Sequence, residues 1–354
     1  MYFTKPFNKK LVAGRGFSEV NGIRFQTEFS DINNYCRQNN LILFDRVKFK
    51  LKFVLNYALT ALKVKKAIWF KEKVYIGPFV GEFGNFLGHT LPLIGYLSKN
   101  GVEVHFCGLE LFRPFCVDEH GIEIVRFYPL RDIFMETTIG TNFGAIPADV
   151  QREIALFYDG VKSKGMLIDL RNEFFYWFVF RDFTAKGRAY FYNLKRSFIN
   201  KTKVEEKSCV LFPRSKGARE SKNNGKEWDY DEIIKVLAQS FDKIYVLGHP
   251  AFVKEVNAHP KVEVKFSNDN KELVSICSNA DCIISQHSGV VYLSTLFQIP
   301  YVLLYKGGSA PSDIGSFNNS LYYLNSVKKP YQIEFCYDLK NLNPIIASIL
   351  KNKK

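Results

Sequence analysis

A polar turn between two apolar segments is the part of this chain whose residue types best suit an anion. Residues 281–285 (DCIIS) form an isoleucine-rich run typical of a strand buried on both faces of a parallel sheet. The turn over 286–289 (QHSG) follows, and the pattern then predicts a helix over 290–298 and a second strand over 301–305. A helix N-terminus presents free N–H groups and a positive dipole end, which suit a phosphate. The candidate anion site therefore consists of His287, Ser288 and Gly289.

Two further polar segments follow predicted strands in the same half of the chain. CVLFPR (209–214) ends in the cation Arg214, and Lys216 lies just beyond it. KIYVLG (243–248) ends in a segment made of Gly248, His249 and Pro250. Because ligands of open α/β sheets bind at the carboxyl ends of the strands, we expect Arg214 and Lys216 to meet the charge of a phosphate group. A glycine at the end of the second strand lets a nucleotide approach the backbone closely.

The elements that position these residues form two series of alternating strands and helices. In the first series the pattern predicts strands over 74–79, 102–108 and 122–128, and helices over 86–99 and 109–120. In the second series it predicts strands over 243–248 and 262–266, and helices over 230–241 and 271–279, before the turn at 286–289. Alternation of this kind implies parallel sheets with right-handed crossovers. The predicted fold is therefore α/β with two Rossmann-like domains.

The domain boundaries follow from these two series. We expect a basic N-terminal extension over 1–73 that packs on the first domain, and an N-terminal Rossmann-like domain over 74–205. A C-terminal Rossmann-like domain over 206–330 and a tail or helix over 331–354 complete the chain. A length of 354 residues and a hydrophobic content of 47% agree with two domains that have sizeable cores.

Cysteine usage and hydropathy set the broad class of the protein. The seven cysteines are scattered without C-x-x-C pairs, and several lie in apolar runs, so we expect a reducing cytoplasm and no zinc site. The N-terminal ten residues are charged, with no apolar segment of a signal peptide behind them. No apolar run reaches the roughly 18 to 20 residues of a membrane span. The expected location is the cytoplasm.

The formal charge of +14 is unevenly distributed. Residues 46–73 hold nine basic residues and one acid, and they flank the apolar run FVLNYALTAL. A second basic region, 186–207, follows the aromatic cluster 174–180. Basic and aromatic residues together suit an anionic lipid surface, so peripheral contact with the inner face of a membrane is one interpretation. The other is a solvated basic face over an aromatic core. No helix-turn-helix or RNA-binding signature indicates nucleic acid.

The order of the motifs resembles GT-B glycosyltransferases, and most closely the ADP-heptose-type heptosyltransferases and their relatives. The family's turn and helix of the form G-D-x-L-x-x-T-P is echoed, with one insertion, by Gly84, Asn85, Leu87, Thr90, Leu91 and Pro92. CVLFPRSKGARESKNNGKEW is similar to the segment that opens the family's second domain. VLGHPAF corresponds to its strand ending in G-G-P, and the turn at 285–289 to its S-N-D-S-G-P turn. The resemblance spans 74–308.

This resemblance implies a function. It implies transfer of a sugar from a nucleotide-sugar donor to a glycan or lipid-linked acceptor, in an active site in the cleft between the two domains. The pathway implied is the synthesis of a bacterial-type surface polysaccharide such as lipopolysaccharide, capsule or O-antigen. Members of the family usually stabilise the leaving group without a metal, so we expect no Asp-x-Asp triplet that holds a divalent ion and no other cofactor. Gly84 and Asn85 are expected on the acceptor side.

The chain departs from the family at its candidate base. The family's aspartate falls on Asn85 here, and an amide cannot take a proton from a sugar hydroxyl. Glu82 and His89 are the ionisable side chains close by in sequence, and either could act as general base. We favour Glu82 over His89. The alternative is that Glu82 caps the helix start while His89 packs against the sheet.

Other functions stay open on the sequence alone. Bacterial sialyltransferases and Kdo transferases carry a His-Pro motif and a Ser-rich turn with a spacing similar to that of His249 and Ser288. A CMP-sugar donor is therefore the alternative to a nucleoside-diphosphate sugar. A pyruvyltransferase, a sugar-nucleotide epimerase and a non-catalytic nucleotide-sugar-binding protein are alternatives of other classes.

Overall fold

The chain forms two units, each built around its own parallel sheet. The computed structural model describes residues 19–20, 23–24, 43–80, 83, 86–118, 120–132, 147–161, 165–169, 206–213, 228–248, 255–266, 270–286, 289–304 and 333–352. The first unit comprises Met1–Asp118 and Ile122–Phe191, and the second comprises Glu119–Gly121 and Tyr192–Lys354. The predicted fold class, α/β with two Rossmann-like units, is confirmed by the sheets described below.

The first unit contains six strands and three α-helices within the described residues. Two short strands, β1 (Glu19–Val20) and β2 (Ile23–Arg24), pair antiparallel and precede the long helix α1 (Leu43–Phe70). The elements that follow are β3 (Val74–Phe79), a π-helical turn (Phe86–Thr90), α2 (Leu91–Lys99), β4 (Val104–Leu109), a 3₁₀ helix (Glu110–Phe115), β5 (Arg126–Leu130), α3 (Ala148–Val161) and β6 (Met166–Asp169).

The sheet of the first unit has the order β5-β4-β3-β6 with every pair parallel. The chain therefore runs outward from β3 through β4 to β5, and then returns to place β6 on the other side of β3. This reversal makes the β3–β6 boundary a topological switch point, and open α/β sheets bind their ligands at such a point.

The second unit repeats this plan with a larger sheet. Its elements are β7 (Ser208–Phe212), α4 (Tyr230–Leu237), β8 (Lys243–Gly248), β9 (Val262–Phe266), α5 (Asn270–Asn279), β10 (Cys282–Ser285), α6 (Val290–Phe297), β11 (Tyr301–Leu304), β12 (Ile333–Cys336), a 3₁₀ helix (Leu339–Asn341) and α7 (Leu342–Lys351). The strand order is β9-β8-β7-β10-β11-β12, all parallel. Counted from β7, this is 3-2-1-4-5-6, the order of dinucleotide-binding Rossmann folds. Its switch point lies between β7 and β10.

Strands β7, β10 and β11 are buried on both faces, and the side chains of one face pack into a common core. Cys209 and Leu211 of β7, Ile284 of β10 and Val302 of β11 are 2% exposed or less. Helices α4 and α7 cover this face, and Ile346 of α7 packs into the same cluster. Strands that are buried on both faces carry continuous apolar runs, and such runs can be recognised in the sequence.

Several predicted elements differ from the structure. The helix predicted over 109–120 is wrong, because β4 extends to Leu109 and only the 3₁₀ helix Glu110–Phe115 follows. Pro114 cannot donate a helical hydrogen bond, and Phe112 and Phe115 lie three residues apart, a spacing that suits the tighter 3₁₀ turn. The helix predicted over 86–99 begins as the π-helical turn. Strands β6 and β12 were not predicted.

We expect Gly77 of β3 to tolerate no side chain. It has a φ of 126°, and a Cβ there would collide with the carbonyl oxygen of Cys107 on the neighbouring strand β4. Gly77→Ala should therefore lower the free energy of unfolding by at least about 2 kcal/mol, through backbone strain and overpacking. Urea denaturation measures the change.

Gly160 provides the matched control for this substitution. It lies in α3, where no atom lies within 4 Å of an added Cβ. Gly160→Ala should leave the free energy of unfolding unchanged or raise it by up to about 1 kcal/mol, because alanine favours the helix. Equal effects of the two substitutions would contradict the close packing of β3 on β4.

Candidate functional site

The switch point of the second unit brings together the ends of the two strands that precede two of the predicted polar segments. Phe212, the last residue of β7, pairs in register with Ser285, the last residue of β10. Pro213 and Gln286, both buried, therefore leave the sheet side by side at its carboxyl edge. Arg214 and Lys216 follow the first of these residues in the chain, and His287 and Ser288 follow the second. The two strand ends therefore lie at one edge of one sheet, the edge at which open α/β sheets bind their ligands.

A buried polar network holds the start of the turn after β10. The Ser285 hydroxyl donates to the backbone carbonyl of Gln286 at 2.7 Å and lies 2.6 Å from the Tyr301 hydroxyl. The Tyr230 hydroxyl, from the first turn of α4, donates to Gln286 Oε1 at 2.9 Å. All four residues are buried. Because buried polar groups are costly to misplace, this network fixes the direction in which the chain leaves β10 toward residues 287–289.

The two glycines of the predicted donor site lie where the sequence placed them. Gly289 immediately precedes α6, and its carbonyl accepts a hydrogen bond from the backbone N–H of Tyr292 at 3.1 Å. The helix therefore begins at Val290, as predicted. Gly248 ends β8 with a φ of 156°, a value that residues with a side chain rarely adopt.

The switch point of the first unit carries the predicted acceptor side. Residues 81–85 follow β3 and Val80 at its carboxyl edge. Aromatic contacts hold the two described residues that flank positions 84–85 in the sequence. Phe83 packs against Phe115 with ring centroids 5.4 Å apart, and Phe86 stacks on Phe112 at 4.3 Å. These contacts tie Phe83 and Phe86 to the core of the first unit.

A carboxylate at the same edge was missed by the sequence analysis. Asp169 ends β6, pairs in register with Gly77 of β3, and is half-buried. Its Oδ1 accepts a hydrogen bond from the Tyr158 hydroxyl of α3 at 2.8 Å. The signal in the sequence was the short apolar run MLID ending in an acid, but that run lies in a section for which the pattern predicted no individual elements.

Most of the predicted site residues lie outside the described residues. These are Glu82, Gly84, Asn85, Arg214, Lys216, His249, Pro250, His287 and Ser288. The backbone of His89 lies in the π-helical turn Phe86–Thr90 ahead of α2, and its side chain is not described. π-Helical turns are rare in proteins, and a large share of those that occur lie at functional sites. The basic region 186–207 and the aromatic cluster 174–180 also lie outside the described residues, apart from the last two positions of the former.

One Asp-x-Asp triplet, Asp229-Tyr230-Asp231, is present, contrary to the expectation of none. Its carboxylates have structural partners. Asp229 caps α4 by accepting from the backbone N–H groups of Asp231 and Glu232, both at 3.1 Å. Asp231 accepts from the backbone N–H of Asn257 at 2.8 Å. Within the described part of the chain, no group of three or more His, Cys, Asp or Glu residues is arranged to hold a metal ion.

The described cysteines behave as small apolar side chains. All six are buried and form no disulfide. Burial raises the pKa of the Cys107, Cys209 and Cys277 thiols well above the ordinary value, and that of Cys336 to about 11. Since a thiolate is the reactive form, these four thiols stay protonated and unreactive at neutral pH.

Comparison with solved structures finds glycosyltransferases. The chain is similar to E. coli heptosyltransferase WaaC with ADP-2-deoxy-2-fluoro heptose, at 15% identity and a TM-score of 0.49, over 79% of this chain and 99% of that one. It is also similar to a glycosyl transferase of family 9 from Veillonella parvula, at 14% identity and a TM-score of 0.44, over 79% of this chain and 89% of that one. No family model and no curated protein matches. At such low identities and TM-scores, activity and site residues do not carry over from these structures.

We expect Tyr230→Phe to destabilise the second unit. The substitution leaves the buried Gln286 amide oxygen without its 2.9 Å hydrogen bond, at a cost of about 1–3 kcal/mol. Tyr245→Phe, in the half-buried strand position of β8, is the matched control and should change the free energy of unfolding by less than about 0.5 kcal/mol. Chemical denaturation compares the two variants. Equal losses would show that the Tyr230 hydroxyl does not support the turn.

Proposed function

We propose that this protein is a metal-independent glycosyltransferase that moves a sugar from a nucleotide-sugar donor to a glycan or glycolipid acceptor. The observation that carries the proposal is that each unit has a switch point at which predicted site residues leave the sheet. In the second unit these are cations and an anion-binding turn, and in the first unit they are candidate bases. Glycosyl transfer needs both kinds of group, because one reactant loses a proton while the other releases a phosphate.

The donor side belongs to the second unit. Departure of a nucleotide leaves negative charge on phosphate oxygens, and preorganised donors that meet this charge lower the barrier. The backbone N–H groups of Ser288 and Gly289, at the start of α6, supply such donors together with the Ser288 hydroxyl. Arg214 and Lys216 supply positive charge from the neighbouring strand end, and His287 contacts the phosphate or ribose. His249, Pro250 and Gly248 follow the next strand and contact the nucleotide.

The acceptor side belongs to the first unit. Glu82 takes the proton from the acceptor hydroxyl, and His89 is the second candidate for this role. Gly84 and Asn85 line the same turn. Asp169, at the adjacent strand end, orients the acceptor through its exposed part while its Oδ1 is held by Tyr158. A positioned general base typically contributes about 10²- to 10⁴-fold to the rate.

The reaction serves the synthesis of a bacterial-type surface polysaccharide such as lipopolysaccharide, capsule or O-antigen. The motif order shared with ADP-heptose-type heptosyltransferases supports this pathway. A lipid-linked acceptor then requires the enzyme to work at the inner face of the cell membrane. Among the described helices none is both long and apolar enough to cross a bilayer, so peripheral contact is the mode of attachment we propose.

Measuring the binding of nucleotide sugars tests the donor site proposed for the second unit. Thermal unfolding is measured with a panel of nucleotide sugars, including ADP- and CMP-linked ones, and a ligand at a hundredfold excess over its Kd stabilises the protein by about 2.7 kcal/mol. Arg214→Ala should weaken binding of the effective donor roughly ten- to hundredfold, because it removes a charge-assisted hydrogen bond worth about 1.5–3 kcal/mol. Arg152→Ala, on the exposed face of α3, should leave binding unchanged. The absence of stabilisation by every nucleotide sugar would sink the proposal.

Measuring the turnover rate of variants tests the roles proposed for residues of the first unit. Glu82→Gln should lower kcat by about 10²- to 10⁴-fold with little change in donor KM, because only the proton acceptor is lost. Asp169→Asn should have a smaller effect, since an amide oxygen still accepts the Tyr158 hydrogen bond. A large loss in Asp169→Asn with full activity in Glu82→Gln would assign the base to Asp169. Conversion of the free nucleotide sugar without acceptor would instead identify an epimerase.

A further inference from the structure

Helix α1 presents an apolar stripe to solvent along nearly its whole length. The stripe, defined by exposed side chains at Val47, Leu51, Leu55, Leu59, Leu62 and Trp69, has members between 48% and 74% exposed. At 100° per residue these positions fall within an arc of about 120°, over a length of about 33 Å. Two exposed lysines, Lys65 and Lys66, lie in the same arc between Leu62 and Trp69. An exposed apolar surface of this length, flanked by charge, marks an interaction site rather than ordinary surface.

The opposite face of α1 accounts for its attachment to the first unit. Val64 and Ala67 are fully buried, and they lie on the side of the helix away from the stripe. The Lys63 ammonium reaches the Leu167 carbonyl of β6 at 3.5 Å, which joins the helix to the edge strand of the sheet. Because these contacts on the opposite face attach α1 to the first unit, the stripe is not needed to hold the helix in place.

The charge of α1 selects the kind of partner. The helix contains seven basic residues and one acid, Asp45, with the basic positions gathered toward its two ends, over 46–52 and 63–66. A second copy of the helix would meet like charge in either orientation, because both ends are basic. An anionic lipid surface attracts such a helix, and leucines flanked by lysines are typical of helices that lie in the membrane interface.

The C-terminal end of the stripe has the composition of an interfacial anchor. Trp69 is 74% exposed and Phe70 is 67% exposed, next to the exposed Lys65 and Lys66. Tryptophan is enriched at the membrane–water boundary, where its ring is buried and its N–H stays near water. Lys66 is also paired with Glu72 at 2.9 Å, which fixes the end of the helix.

We infer that the stripe of α1 is a membrane-docking surface that lies in the headgroup region of an anionic bilayer, with its leucines turned toward the acyl chains. This inference deepens the proposed function, since it rests on that proposal for the choice of a membrane that carries the acceptor. The residues that carry it are separate from the groups that contact donor or acceptor.

Vesicle flotation tests the stripe with full-length protein. The protein should float with vesicles of phosphatidylcholine and phosphatidylglycerol, and much less with phosphatidylcholine alone. Leu55→Gln combined with Leu62→Gln should weaken binding by at least roughly tenfold for each leucine that no longer inserts. Leu156→Gln is the matched control, because Leu156 is a leucine of α3 that is 72% exposed and lies outside the stripe. It should bind like the wild type.

Tryptophan fluorescence gives a second measurement. The emission should shift to shorter wavelength when anionic vesicles are added. Trp69→Phe should remove most of that shift, while Trp177 and Trp228, the latter 3% exposed, are retained. Equal binding of the double variant and the wild type would overturn the inference. A change of the lipid-free protein from dimer to monomer in the double variant would overturn it too, because the stripe would then be an interface between copies.

Donor binding separates this inference from the proposed function. Thermal stabilisation by the effective nucleotide sugar should be the same in the double variant and the wild type. If the wild type binds a nucleotide sugar but does not bind vesicles, only the docking surface is overturned. Vesicle binding without stabilisation by any nucleotide sugar would overturn only the glycosyltransferase assignment.

Discussion

The parallel pairing of β7 with β10 is the constraint on which the candidate donor site depends. Four successive pairs, from Cys209 with Cys282 to Phe212 with Ser285, align two segments that lie about seventy residues apart in the chain. Because strand pairing has a period of two, a slip of one residue would turn every side chain of β10 to the opposite face. The Ser285 hydroxyl would then leave Tyr301, and the turn after β10 would begin in a different direction. The register therefore determines where residues 287–289 and Arg214 emerge.

The polar network at the end of β10 shows how the fold makes this turn specific. An apolar residue at position 286 would pack in the same core without needing any partner. Gln286 instead needs the Tyr230 hydroxyl, which comes from a helix whose start is fixed by the Asp229 cap. Misplacing α4 or β11 would leave buried polar groups without hydrogen bonds, at about 1–3 kcal/mol each. The network thus links the position of two neighbouring elements to the direction of one turn.

The sequence predicted the parts of this fold that depend on local pattern. Strands β3, β8 and β9 were predicted with the bounds that the structure has, because continuous apolar runs between turn residues are a local signal. Strand β6 is four residues long and exposed on part of its surface, so its pattern is too short to identify. Asp169 was missed for the same reason. A carboxylate becomes a candidate only once the strand order shows that it lies beside the end of β3.

The predicted 109–120 helix failed for a different physical reason. Leu109 belongs to β4, and the aromatic residues at 112 and 115 are drawn into the cluster around Phe86. Tertiary packing of these rings decided the local structure, and no periodicity within the segment could reveal it. The ends of single strands were therefore predictable from the sequence, and the strand order that decides which of these ends are neighbours was not.

The two switch points differ in the sign of the charge that their loops carry. In the sequence, Glu82 follows β3 and Asp169 ends β6 in the first unit, whereas Arg214 and Lys216 follow β7 in the second. Both sheets repeat one topology, so the difference comes from the residues placed after each strand and not from the fold. A protein that only bound a nucleotide sugar would need the cationic edge alone. The proposed transfer also requires a proton acceptor, since an acceptor hydroxyl loses its proton as the phosphate leaves. This requirement is the reason that we propose a transferase and not a protein that only binds a nucleotide sugar.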